Sequence, residues 1–115
     1  MITFFLPWPD RRLSPNAREH WAKKAKATKK ARQTAWGAAL EAKASRISAD
    51  RLSVSVTFCA PNKRKRDLDN CISSLKPSFD GIADAVGIDD SNWQLAFRWG
   101  DPVPGGAVKV ELEAA

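Results

Sequence analysis

Apolar and polar positions along the chain follow two periods. Leu52, Val54, Val56 and Phe58 alternate with Ser53, Ser55, Thr57 and Cys59. A period of two predicts a strand with one apolar and one polar face. Trp93, Leu95, Phe97 and Trp99 repeat the alternation, and Val108, Val110 and Leu112 mark a last strand after the turn-rich Asp101–Gly106. So short a connection predicts that these last two strands pair as an antiparallel hairpin. Ile2 to Leu6 reads as a shorter strand, stopped by Pro7 and Pro9.

The other period is helical. Asn16 and Glu19 have capping-box spacing. A long helix is expected from about Ala17 to about Ser45, dense in Ala, Lys, Arg, Gln and Glu. Its expected inner face carries Trp21, Ala25, Thr28, Ala35 and Ala39, and its opposite face carries Lys23, Lys26 and Lys30. A second helix should run from the Asp67–Asn70 segment to Val86, kinked or restarted at Pro77 and stopped by Gly87. The order is β-α-β-α-β-β. It predicts an α/β (α+β) fold, a small mixed sheet of about four strands packed with two helices, as a single domain over residues 1–115.

Charge adds a partner class. Nineteen Lys and Arg against thirteen Asp and Glu give +6, with a pI near 9.7. A basic surface favours polyanions, because each neutralised phosphate releases counterions; the same charge also keeps a small domain in solution. No apolar run approaches the roughly 18 residues of a membrane span, and Met1–Pro7 lacks the charged start of a signal peptide. Cys59 and Cys71 have no metal-type pairing and read as reduced thiols of a cytoplasmic protein.

The chemistry concentrates in one stretch. Asp67 and Asp69 are separated by one residue and follow the basic run Lys63, Arg64, Lys65, Arg66. In an extended segment both carboxylates share a face, which a helix denies them, so the loop before the second helix is their expected place, with Asp69 or Asn70 as cap. Carboxylates held close repel unless a cation sits between them, and Mg²⁺ takes such oxygen donors. Asp69 as a plain cap and Asp67 as a surface residue is the ordinary alternative. Asp89 and Asp90 follow Gly87, where Ile88-Asp-Asp-Ser-Asn92 is also good turn composition; a third acid joins if the sheet brings that exit beside the first pair. Lys76, two helical turns beyond Asp69, would share its face in a continuous helix and could neutralise charge at a phosphate. Acids beside a basic loop suggest metal-assisted phosphodiester hydrolysis. The basic run, and secondly Lys23, Lys26 and Lys30, would hold the DNA backbone, although a lysine stripe is most commonly a solvated face. His20 is the single histidine and reads as structural.

At Arg66-Asp-Leu-Asp-Asn70 the chain resembles the RusA family of Holliday-junction resolvases, in its phage and prophage branch. The resemblance runs from Leu6-Pro-Trp-Pro9 through Leu13–Arg18, His20-Trp21, the basic run, Leu75-Lys76 and Phe79-Asp80 to Gly87-Ile-Asp-Asp90. It implies a Mg²⁺-dependent endonuclease, with Mn²⁺ a possible substitute, that cuts four-way DNA junctions symmetrically as a homodimer. Asp67, Asp69 and Asp90 would hold the metal, and Lys76 would join them in catalysis. The family's better-known members place that lysine four residues after the second Asp, whereas here the gap is seven. Both spacings keep one helical face, with an axial shift of about 4.5 Å. A non-catalytic module for branched DNA, and a nuclease acting on forks or flaps, remain the alternatives. Five Trp and five Phe are many for one small core, which independently favours an aromatic interface between two copies.

Overall fold

A computed structural model describes residues 1–18 and 20–115. The strands are β1 (Ile2–Pro7), β2 (Leu52–Cys59), β3 (Trp93–Trp99) and β4 (Ala107–Ala114). The helices are α1 (Trp21–Glu41), α2 (Leu68–Ser74) and α3 (Lys76–Val86), with 3₁₀ turns at Arg11–Leu13 and Asp90–Asn92. The sheet is mixed and ordered β1-β4-β2-β3, and helices pack on one face of it. Alternate residues of β2 and β4 fill the core, with Leu52, Val54, Val56, Phe58, Val108, Val110 and Leu112 almost wholly buried.

The last two strands do not form a hairpin. β3 pairs with β2 in parallel, and β4 lies between β1 and β2, antiparallel to both. The connection between them explains the difference. Gly100 donates to the Phe58 carbonyl at 2.9 Å, and Val103 donates to the Ala60 carbonyl at 2.9 Å. These bonds carry the chain across the end of β2 and deliver β4 to its far side.

Helix α1 is shorter at both ends than its composition suggests. It starts at Trp21 with His20 as N-cap, whose Nδ1 accepts the Ala22 N–H at 3.2 Å. Asn16 lies in the preceding turn, and the Glu19 half of the expected capping box falls outside the described residues. Beyond Glu41 the chain closes with a left-handed Lys43 (φ 63°) and an Ala44 N–H bonded to the Ala39 carbonyl at 2.8 Å. Lysine occupies the place where glycine usually signals such a stop. Ala35 and Ala39 of the expected inner face are buried, but Trp21, Ala25 and Thr28 are exposed; in the first turns of α1 the buried residue is Ala27, beside a cavity also lined by Leu6 and Leu13.

The second expected helix is two. Leu75 ends α2, and Pro77 stands in the first turn of α3, where its missing N–H costs nothing. At Gly81 a side chain would stand 2.1 Å from the Arg32 carbonyl oxygen, so glycine lets α3 lie directly against α1. Arg32 and Asp84 brace the same crossing at 2.8 Å. Gly87 then closes α3 in the left-handed conformation (φ 78°). No helix among the described residues is long and apolar enough to cross a membrane.

Candidate active site

The basic loop after β2 folds on itself through Arg66. Its guanidinium donates to the Asn62 carbonyl (3.2 Å), the Arg64 carbonyl (3.0 Å) and Asn62 Oδ1 (3.0 Å). It also lies 5.6 Å from the centre of the Trp8 ring, a cation–π distance. Arg66 is therefore a clasp that holds the loop against β1. Lys63, Arg64 and Lys65 remain exposed.

The loop delivers the chain to Asp67 in extended conformation (φ −86°, ψ 125°) as the N-cap of α2. Its carbonyl accepts the Cys71 N–H at 3.3 Å, so the cap falls at Asp67 and not at Asp69 or Asn70. The Asp67 side chain makes no capping bond; its Oδ2 stands 3.5 Å from Asn70 Nδ2. Asp69 is already helical, and its Oδ1 accepts the Asn70 N–H at 3.0 Å. The two acids thus straddle the helix start and do not share a fully extended segment. Both carboxylates are exposed. Burial pushes the Cys71 thiol above its usual pKa; Arg66 works against that shift, and Asp67 and Asp69 both add to it.

Asp67 opens onto a cleft of about 380 Å³ whose walls include Trp8, Asp10, Arg11, Arg64, Lys65 and Arg66. An adjoining cavity of about 240 Å³ shares Trp8, Pro9, Asp10 and Ser74 and reaches Lys30 on α1. Lys30 therefore approaches the site, while Lys23 and Lys26 stay on the exposed face of α1.

Lys76 belongs to a second cluster. The restart at Leu75 breaks the continuous helix that would have aligned it with Asp69. Its ammonium binds Asp80 at 3.0 Å, one turn along α3, and bonds tightly to Asp90 Oδ2. The Gly87 turn brings Asp90 back to α3, and Trp93 Nε1 pins that turn by donating to the Ile88 carbonyl at 3.0 Å. The two carboxylates, Asp90 foremost, raise the Lys76 pKa above its ordinary value. Asp89 plays a different part. Its carboxylate accepts from the Ser91 hydroxyl and N–H (the latter at 3.1 Å), which hold its pKa below the usual range and cap the 3₁₀ turn.

The structure thus brings Asp67 to the basic loop and Asp90 to Lys76. Among the described residues, no three His, Cys, Asp or Glu side chains converge as a metal-holding group. Asp80 carries two signals in the sequence, its i,i+4 spacing from Lys76 and its place in the Phe79-Asp80 pair of the resemblance. Asp10 and Arg11 leave no such trace, because a segment more than 50 residues before Asp67 carries them to the cleft.

No family model matches the chain. Over 93 residues it is 45% identical to an uncharacterized protein of Xylella fastidiosa (strain Temecula1 / ATCC 700964), a match covering 78% of this chain and 61% of the relative. The chain thus spans about three-fifths of the length of the relative it matches.

Proposed function

We propose that this chain is a Mg²⁺-dependent, structure-selective endodeoxyribonuclease of the RusA kind, resolving four-way DNA junctions by paired cuts. One observation carries the reading: the uncapped, exposed carboxylate of Asp67 opens onto a cleft walled by Arg11, Arg64, Lys65 and Arg66. Cations around a carboxylate suit a phosphodiester held beside a hydrolytic centre. They do not suit an acidic group placed only to cap a helix, since Asp67 makes no capping bond.

Asp67 and Asp69 present the oxygen donors that a hard divalent ion takes, and one or two carboxylates with substrate phosphate suffice for Mg²⁺. When bound, Mg²⁺ or Mn²⁺ supplies Lewis acidity at the phosphate and an acidified water as nucleophile. Arg64 and Lys65 would hold the flanking phosphates. Arg66 would keep their loop in shape through Asn62. Asp90 would complete the ligand set by giving up Lys76, whose ammonium stays anchored to Asp80 and can turn toward charge building on the phosphate. A homodimer would supply the two sites that paired cuts need; three of the five tryptophans, Trp21, Trp36 and Trp99, are exposed and available for contacts.

The separation of Asp90 from the Asp67–Asp69 pair favours one competing reading, a non-catalytic module that binds branched DNA. Incubation of a synthetic four-way junction with the protein, with and without Mg²⁺, separates the two. Metal-dependent symmetric nicks support the nuclease; retention of the junction without nicks supports the binding module.

A further inference from the structure

The strand β3 is an edge of the sheet, and its backbone directions can be read from its one ladder. Gly100, next after β3, donates to the Phe58 carbonyl at 2.9 Å, in line with the parallel register that sets Phe58 opposite Trp99. In a parallel ladder alternate residues of a strand bond a given neighbour. Gln94, Ala96 and Arg98 therefore turn their N–H and C=O groups toward β2, while Trp93, Leu95, Phe97 and Trp99 turn theirs off the free edge.

This edge lacks the usual protection. Edge strands are normally blunted by proline, bulges or inward-pointing charge, and β1, at the other edge, ends in Pro7. β3 has neither proline nor an acidic residue, and its single charge is Arg98. Leu95 and Trp99 lie on the apolar side of the strand yet stay 42% and 43% exposed.

We infer that β3 is the interface between two copies of this chain, which pair their β3 strands antiparallel about a two-fold axis at Ala96. The inference rests on the homodimer reading above and deepens it by naming the surface. A second copy is the occupant because the strand is self-complementary in this register. Centring on Ala96 sets Leu95 opposite the partner's Phe97 and Trp93 opposite the partner's Trp99. Every outward-facing residue then exchanges both its backbone bonds. On the polar side Arg98 meets the partner's Gln94, so no like charges oppose one another. Centring on Leu95 or Phe97 instead leaves outward-facing groups of one strand end beyond the partner strand. The result is a continuous eight-stranded sheet. An axis normal to that sheet keeps both helix layers on one side, so both candidate sites face one substrate, with the two Trp93 backbones about 20 Å apart along the seam.

Two variants and the parent protein test this. Ala96 and its symmetry mate form a non-hydrogen-bonded pair, whose close Cβ approach suits a disulfide. Mild oxidation of Ala96→Cys should therefore give a covalent dimer well above the background of the parent, which has only Cys59 and Cys71. Phe5→Cys on β1 should stay at background. Leu95→Lys should reduce the sedimentation mass from twice the chain's 12.7 kDa to that value, with its circular dichroism unchanged. A dimeric parent whose Ala96→Cys form does not cross-link, and whose Leu95→Lys form remains dimeric, overturns the edge and leaves the dimer reading intact. A parent that sediments as a single chain at micromolar concentration overturns the dimer reading itself.

Discussion

Two groups of acids lie along the α2–α3 segment, one at the start of α2 and one beside the first turns of α3, and the structure treats them differently. Asp80 and Asp90 enclose the Lys76 ammonium, so their charge is answered within the fold. Asp67 and Asp69 have no ion-pair partner of this kind among the described residues; they face solvent at a helix start, where the N-terminal partial charge favours an anion only modestly. Under the proposed function the open pair is where an external cation would bind, because its charge is not answered within the fold. On the same proposal the closed pair would supply a lysine and a third carboxylate, Lys76 and Asp90.

The largest break in this contrast should come from the open pair. Asp67→Asn or Asp69→Asn should lower junction cleavage by about 100-fold or more, judged against the 10–100-fold cost of losing even an outer-shell group. Junction affinity in a gel-shift assay should be kept or raised, because a charge that repels phosphate is gone. Parallel loss of binding and cutting would reduce both acids to elements of the fold.

Next comes the closed pair. Lys76→Met should lower cleavage on the order of 100-fold if its ammonium stabilises the phosphate in the transition state. It should cost less than about 1 kcal/mol in a urea melt, since a lysine side chain that is 60% exposed contributes only as a surface ion pair. The sign of its pH dependence is fixed. The folded pKa of Lys76 is raised above its ordinary 10.5. Its stabilisation is therefore present throughout the neutral range and is lost only as pH rises through the folded value. A stability difference between parent and variant that fades near neutral pH would contradict the ion pair.

Much of this contrast is hidden in the sequence, whereas the sheet is largely open to view. Alternation locates β2 and β4, which each bury one face, and β3, whose apolar side is buried at Trp93 and left half exposed beyond it; Gly87 and Pro77 mark real boundaries. Alternation specifies a face and not a neighbour, which is why a six-residue connection suggests a hairpin. The bonds of Gly100 and Val103 to the end of β2 decide that topology, and they are long-range. Composition misplaces the start of α1 because His20 caps with its ring nitrogen, and its end because Lys43 takes a conformation typical of glycine. At the site, the Asp-x-Asp spacing flags the acids. The pairing of Lys76 with Asp90, 14 residues away in sequence, depends on the Gly87 turn and the Trp93 clip, which no local pattern encodes.

Smaller effects sharpen the two halves further. Replacing Lys63, Arg64 and Lys65 together should weaken DNA binding and reduce its salt dependence by roughly one slope unit for each phosphate no longer held. Arg66→Ala should do more than free one phosphate, because Arg66 orders the loop through Asn62 and Trp8; proteolysis of the 62–66 segment would reveal the loosening. The smallest change is expected from Asp89→Asn. Asp89 serves Ser91 and the 3₁₀ turn, so cleavage should match the parent, while Asp90→Asn should approach the Asp67 variant. Equal losses at Asp89 and Asp90 would remove the distinction drawn between them.

Hydrolysis at the open acidic pair is tested most directly by one cleavage assay. Purified protein is mixed with a synthetic four-way junction or a linear duplex of the same sequence, with Mg²⁺ or with EDTA, alongside the Asp67→Asn variant. Symmetric nicks in the junction that require Mg²⁺, spare the duplex and vanish with Asp67→Asn are the expected result. An intact junction under every condition, although the protein binds it, would contradict nuclease activity and leave a DNA-binding module in its place.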